Sequence, residues 1–417
     1  MKKWYNIVAI LMIVIISLGL FAVGCTKTAP PEAAGPIVIN IGTPVPLSGM
    51  AANWGSVPTP FYQKFVELFN KEGFQVGGKT YNLKLIQIDD QNTPEGGAAA
   101  AKQLIEGDKC KAIVGHWSWN FPTVSDVTNK AKVILITRTG NEAVPKSWGG
   151  LYDPQTMPYV VFGHPSQEEY LGDALAIVKG IPDYKVLGIL DSTQGKGAGW
   201  DNVDGALDAA GIKYHHEWYN PGTTDFTPYI TRTAEAGCGV VFTAGDVGST
   251  MLFAKQRWQA GYKDMRIGHS GPILDPAVYI MVCGRDAVQG LIGSYYAPWD
   301  FKETQVNPKW ITMCQDAISM VAQEQGKPYV YTGGIGWLPT QAMILAQAME
   351  QAGTVDDSDA IMNAIRGGTF DTPIGKFTMS GEKTYGSPVV FGNPNAISEI
   401  QGDKEVYLSE QPWKPIP

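Results

Sequence analysis

The chain has 417 residues, 44% of them apolar and 17% charged, enough to bury two globular cores rather than one. Its 32 Lys and Arg are outnumbered by 40 Asp and Glu. No basic tract stands out, so the electrostatic footprint of a protein that neutralises phosphates is missing and nucleic acid is excluded as a partner.

The chain opens with Lys2 and Lys3, a nearly unbroken apolar run from Ile7 to Val23, and then Gly24-Cys25. That order of positive, apolar and small-residue segments reads as a secretion signal over residues 1–24, because the apolar run is short for a stable membrane span. Phe21-Ala-Val-Gly-Cys25 resembles a bacterial lipobox, with Ala22 where Leu is usual. The resemblance implies cleavage before Cys25 and lipidation of its thiol, with the mature domain outside the cytoplasm and held to the membrane by that lipid. An uncleaved anchor, or an ordinary signal with an incidental Cys, is the alternative. Residues 25–36, rich in Pro and Ala, read as an extended tether.

From Ile37 the pattern alternates. A β-branched strand at 37–42 leads through a turn-rich stretch to a helix in which Phe61, Phe65, Leu68 and Phe69 share one face. Strand 81–89, helix 97–105, strand 112–115, helix 121–131 and strand 133–137 follow. Helix 167–179, strand 186–191, helix 199–210, strand 212–218, helix 227–236, strand 240–243, helix 249–260, strand 266–269, helix 276–283 and strand 290–297 continue the rhythm. Strands spaced by helices of this length predict βαβ units with parallel sheets covered on both faces, hence an α/β fold of two Rossmann-like lobes. Then come helices at 308–325, 338–352 and 358–366, and a hairpin pairing 375–380 with 388–391 through the turn 381–383.

Specific residues sit on this frame: Pro46-Leu-Ser-Gly49, Asn53-Trp-Gly55, Ile88-Asp-Asp90, Ile113-Val-Gly-His116, Val186-Leu-Gly-Ile-Leu-Asp191, Asp225-Phe-Thr227, Gln259-Ala-Gly261, Val288-Gln-Gly290 and Pro373-Ile-Gly-Lys-Phe377. In this order, over nearly the whole mature chain, they resemble the leucine/isoleucine/valine-binding protein family, the type I periplasmic solute-binding proteins of branched-chain amino acid ABC transporters. The resemblance implies a three-crossover hinge, with lobe 1 from 37–160 and 298–367 and lobe 2 from 161–297 and 368–417. It also implies a ligand held between the lobes, where strand ends and helix N-termini converge, and membrane permease subunits as partners.

Carried over residue by residue, Trp54 matches the tryptophan that packs on the ligand. Ser118 is the candidate hydroxyl for the ligand carboxylate, although strict alignment puts Trp119 at that position. Thr137, Thr139 and the Gly140 amide match the next strand end, and Arg138 is either a bidentate carboxylate clamp or a structural rim residue. On the second lobe Gln194 lies in a polar, Gly-rich turn. Ser270 stands where an amino-acid binder presents a carboxylate to the ligand ammonium, a group Ser270 cannot supply. Asp246 is either its replacement or a helix N-cap, and Tyr295 and Tyr296 are either an aromatic wall or strand packing. The pattern implies a small carboxylate or amino-acid-like ligand.

An enzyme is disfavoured. The run Gly195-Lys-Gly-Ala-Gly199 lacks phosphate-loop spacing, no nucleophile elbow occurs, and adjacent His215 and His216 in a strand point to opposite faces and cannot share a metal. No cofactor or metal is expected. A ligand-sensing ectodomain acting through a partner is the remaining alternative, weakened by the lack of an apolar segment before Pro417. Cys110, Cys238, Cys283 and Cys314 allow three disulfide pairings or four buried free thiols, and spacing cannot choose.

Overall fold

The computed structural model describes residues 35–48, 52–116, 120–137, 152–163, 184–193, 203–244, 247–273, 276–295, 305–329, 335–392 and 395–411. The predicted alternation produces a first sheet from β1 (Ile37–Val45), β2 (Phe74–Val76), β3 (Lys79–Asp89), β4 (Ala112–His116), β5 (Ile134–Thr137) and β6 (Val160–Phe162). Their spatial order is β2-β3-β1-β4-β5-β6. Only β2 runs antiparallel to its neighbour. Strands of such a sheet are covered on both faces, so β5, and β6 at the end of the order, are buried at every residue and carry no polar alternation.

Helices α1 (Thr59–Phe69), α2 (Pro94–Lys102) and α3 (Phe121–Lys130) connect these strands. Pro stands at the first or second position of each, where its missing N–H costs nothing.

The second sheet holds β7 (Val186–Ser192), β8 (Tyr214–Tyr219), β9 (Cys238–Ala244), β10 (Arg266–Pro272) and β11 (Ile292–Tyr295), parallel throughout, in the order β11-β10-β9-β7-β8. Its two faces are distinct by residue parity. Leu187, Ile189, Val240 and Phe242 pack on helix α4 (Val203–Ala209) through Val203 and Leu207. Leu190, Val241 and Ile267 pack under α5 (Thr227–Glu235), α6 (Val247–Gln259) and α7 (Pro276–Cys283).

Three later helices, α8 (Pro308–Gln325), α9 (Trp337–Ala352) and α10 (Ser358–Ile365), return to the core of the first sheet. The ring of Trp310 on α8 lies 6.5 Å from that of Phe65 on α1. Helix α9 is buried almost all round, as its run of apolar residues requires. The expected hairpin holds at Ser380–Val390 alone and is otherwise displaced: the ladder joins β12 (Thr369–Thr372) to β13 (Gly375–Thr378), while residues 382–385 form a helical turn. Val390 bridges Ser380 on one side and Phe162 of β6 on the other. Strands β14 (Asn395–Gln401) and β15 (Lys404–Gln411) then extend the second sheet antiparallel from β11.

The chain therefore passes between the two packed sheets in three places, between 163 and 184, 295 and 305, and 391 and 395. This corrects the expected division at two points. A boundary at 160/161 cuts through β6, and residues 368–391 belong to the first core, where Phe370, Phe377, Met379, Tyr385 and Val390 are buried. The reason is pairing: the 389–391 segment exchanges main-chain hydrogen bonds with Phe162, so it completes the first sheet before the chain leaves.

Candidate ligand-binding site

In the first sheet the C-terminal ends of parallel strands gather along one edge. At β1, Leu47 N–H donates to Asp89 Oδ1 (2.9 Å), and so does Gln91 N–H (2.9 Å). Burial pushes the Asp89 carboxyl up, but hydrogen bonds from Ser48, Gln91 and Leu47 outweigh it and hold the group below its ordinary range. Asp89 thereby ties the segment leaving β1 to the end of β3. Trp54 follows in the single helical turn Asn53–Ser56, and its side chain lies outside the described atoms. The next residue fixes this turn against β1, since a Cβ on Gly55 would sit 2.0 Å from the Pro46 carbonyl oxygen.

Asp90 is buried, and its carboxylate accepts from Asn92 N–H (2.8 Å) and from Asn120 Nδ2 (3.0 Å). Burial raises its pKa despite these bonds. The Asp90–Asn120 contact holds the start of α3 against the β3–α2 turn.

Strand β4 carries a bulge near its end. The register of β4 with β5 shifts between Val114 and His116, and Gly115 between them has φ +71°. Its N–H donates to the buried Oε1 of Gln341 on α9, leaving Gln341 Nε2 without a partner. A Cβ at Gly115 would lie 2.6 Å from Leu338 Cδ1. Past the bulge, His116 pairs with Thr137, the buried last residue of β5. The adjacent strands β4 and β5, whose ends precede the residues expected to bind a carboxylate, thus finish at the same level. Ser118, Trp119, Arg138, Thr139 and Gly140 themselves lie outside the described residues.

On the second sheet, Ser192 ends β7, Ala244 ends β9, Ser270 lies near the end of β10 and Tyr295 ends β11, all on parallel neighbouring strands. Ser192 is buried. The side chains of Ser270 and Tyr295 are outside the described atoms, as are Gln194, Asp246 and Tyr296 entirely. Of the residues carried over, Thr137 thus stands at a strand end of the first sheet, and Ser270 and Tyr295 stand at or near strand ends of the second.

Buried, hydrogen-bonded side chains hold these ends. His269 is buried under α6, where its Nδ1 lies 3.0 Å from Thr250 Oγ1 and Thr250 Oγ1 lies 2.9 Å from Thr243 Oγ1. Thr243 also donates to the Gly268 carbonyl (3.2 Å), so these side chains and that carbonyl form one buried hydrogen-bonded cluster. His215 and His216 do point apart: His215 meets Glu217 (3.0 Å), and His216 meets Asp191 and Asp204. Among the described residues, no group of three or more His, Cys, Asp and Glu side chains could hold a metal. All four domain cysteines are free and buried, which settles the open pairing. Burial pushes Cys110 and Cys314 up to about 12 and Cys238 and Cys283 to about 11.

The family model described as periplasmic binding protein matches residues 38–389, nearly the whole of this framework. The chain belongs to the periplasmic binding protein family. This periplasmic binding protein is 28% identical over 357 residues to Leu/Ile/Val-binding protein homolog 3 of Brucella melitensis biotype 1, covering 84% of this chain and 89% of that one. Its fold is similar to the leucine binding protein LivK of Thermotoga maritima (TM-score 0.68, 16% identity, 89% of this chain and 98% of the other). It is equally similar to an ABC transporter solute-binding protein of Rhodopseudomonas palustris HaA2 in complex with p-hydroxybenzoic acid (TM-score 0.68, 18% identity, 91% and 97%). Members of the family are extracytoplasmic solute binders that capture ligands without transforming them. Among the described residues of this periplasmic binding protein, no helix is long and apolar enough to cross a membrane.

Proposed function

We propose that the protein is the extracytoplasmic solute-binding subunit of an ABC importer, closing two lobes on a small carboxylate. The carrying observation is the His116–Thr137 pairing, which brings the ends of two parallel strands to one level. Ser118, Thr137, Thr139 and the Gly140 amide bind the carboxylate in this reading, and Arg138 clamps it bidentately. Trp54, Trp119, Tyr295 and Tyr296 wall the ligand body, and Gln194, Asp246 and Ser270 contact it from the second half.

The three passages of the chain between the sheets serve as the hinge, and bridging contacts favour the closed form. That closed shape is what membrane permease subunits read. Cys25 carries the lipid and residues 26–36 the tether. Aromatic acids rank ahead of leucine because position 270 offers no carboxylate for a ligand ammonium, and one structural relative holds p-hydroxybenzoic acid.

Calorimetric titration of residues 26–417 with p-hydroxybenzoate and with leucine tests the reading. The aromatic acid binds and leucine binds at least tenfold more weakly. Arg138→Ala lowers affinity for the acid by about 10- to 100-fold, the scale of a charge-assisted pair. Tight leucine binding with no response to the acid overturns the specificity, and binding of neither overturns the site.

A further inference from the structure

The second half carries a buried cationic contact that the ligand reading leaves unused. His216 on β8 is nearly enclosed, with its side chain 6% exposed. Its Nε2 lies 3.1 Å from Asp191 Oδ2 and its Nδ1 lies 2.7 Å from Asp204 Oδ1. An ionised carboxylate only accepts hydrogen bonds, so with Asp191 and Asp204 both ionised the ring donates from both nitrogens and is an imidazolium. The Trp218 ring stacks on it at 4.6 Å.

The two acids bracket one stretch of chain. Asp191 precedes Ser192, the last residue of β7, and Asp204 lies in the first turn of α4. We infer that His216 is a positioning residue for ligand binding, an imidazolium staple that fixes the exit of β7 and the entry of α4 relative to each other. The inference rests on the solute-binding reading, in which the polar turn after β7 approaches the ligand.

Among the described residues, the charged and titratable groups around the staple are Asp191 from β7, Asp204 and Asp208 from α4, and Tyr214 from β8 itself. Asp204 and Asp208 both raise the Tyr214 hydroxyl, whose chief cause of shift is burial. His215 and Glu217 project from the opposite face, and Arg232 of α5 joins Glu217 there (2.8 Å). The local field is therefore acidic. Burial alone would lower His216, but the hydrogen bonds and charges of Asp191 and Asp204 outweigh it and raise the pKa above the ordinary imidazole value. The staple is accordingly intact below the ordinary histidine range and opens as pH rises through the raised value.

Three measurements on the ligand-free and ligand-bound mature protein decide it. Side-chain nitrogen NMR is expected to find both His216 ring nitrogens mostly protonated at about pH 6.5, where an ordinary imidazole is half titrated; a ring already neutral there overturns the inference. Hydrogen exchange of peptides spanning 186–209 is expected to speed up about tenfold in His216→Gln, with β9 unchanged; equal protection overturns it. Affinity for p-hydroxybenzoate is expected to fall about tenfold across the His216 titration in wild type and to be weak and flat with pH in His216→Gln; a variant binding like wild type overturns it. Should His216→Gln not fold, Asp204→Asn, at a 41% exposed side chain, is expected to move each readout in the same direction by less. Failure of both p-hydroxybenzoate and leucine to bind at any pH sinks the solute-binding reading, while ring titration and exchange still decide the staple.

Discussion

Replacing Gly115 by alanine perturbs the point where β4 turns into the proposed carboxylate-binding segment. Two costs follow from the geometry. The backbone has φ +71°, where a side chain costs about 1–2 kcal/mol. The new Cβ would also meet Leu338 Cδ1 at 2.6 Å and Cγ at 3.0 Å on a buried helix, an overpacking worth about 1–3 kcal/mol. Together they destabilise by about 3 kcal/mol, read from urea unfolding by linear extrapolation. Gly261→Ala is the matched control, because φ there is +90° and nothing lies within 4 Å of the added atom. It carries the backbone cost alone, about 1–2 kcal/mol. Pairing Gly115→Ala with Leu338→Ala separates the steric part, and the cycle is expected to show a favourable coupling of about 1–3 kcal/mol. Affinity for p-hydroxybenzoate falls in the single variant because the Gly115 amide no longer meets Gln341 squarely. If Gly115→Ala costs no more than Gly261→Ala, and the cycle shows no coupling, the bulge is not held by α9 as described.

Asp90→Asn is expected to leave stability within about 1 kcal/mol of wild type at neutral pH, whereas Asp90→Ala costs about 2 kcal/mol by orphaning Asn92 and Asn120. The Asn120 Oδ1 atom is buried and unpaired, so a flip of that amide lets it accept from the amide introduced at position 90. A carboxyl raised by burial binds its proton more tightly in the folded state, so wild-type stability declines as pH rises from the unfolded value through the raised one. Denaturant midpoints measured across that window should converge on, then fall behind, those of Asp90→Asn; parallel profiles would contradict the assignment. The four domain thiols should resist a disulfide reagent at pH 8 in the native state and react together on unfolding, since all are buried and their pKa values lie at about 11 to 12. Rapid native labelling of any of them would show an opening that the packing does not contain. Thr137→Val, which keeps the buried shape and removes one hydroxyl, should weaken p-hydroxybenzoate binding about fivefold with little change in unfolding; unaltered affinity would remove Thr137 from the site.

Local chemistry alone determined much of the scaffold. Helix α8 was legible to the residue because Asn307 accepts from Lys309 N–H at its start, Pro308 opens it, and Gly326 closes it with φ +64°. Apolar runs such as 186–190 read as central strands because both of their faces are covered, and the expected strand ends did fall on one edge of each sheet. Other features depended on partners distant in sequence. β14 and β15 went unread although Gly402-Asp403 marks their turn, because the first of them is made a strand by β11, more than a hundred residues earlier. The hairpin was misplaced because Val390 is claimed by Phe162 of β6 as well as by Ser380. The groups that set the site were invisible for the same reason: Gln341 reaches Gly115 across 226 residues, and His216 joins two acids on either side of a turn. A spacing pattern records what a residue prefers next to its neighbours in sequence. Only the folded chain decides which buried donor meets which buried acceptor, since that match depends on the positions of elements no local pattern contains.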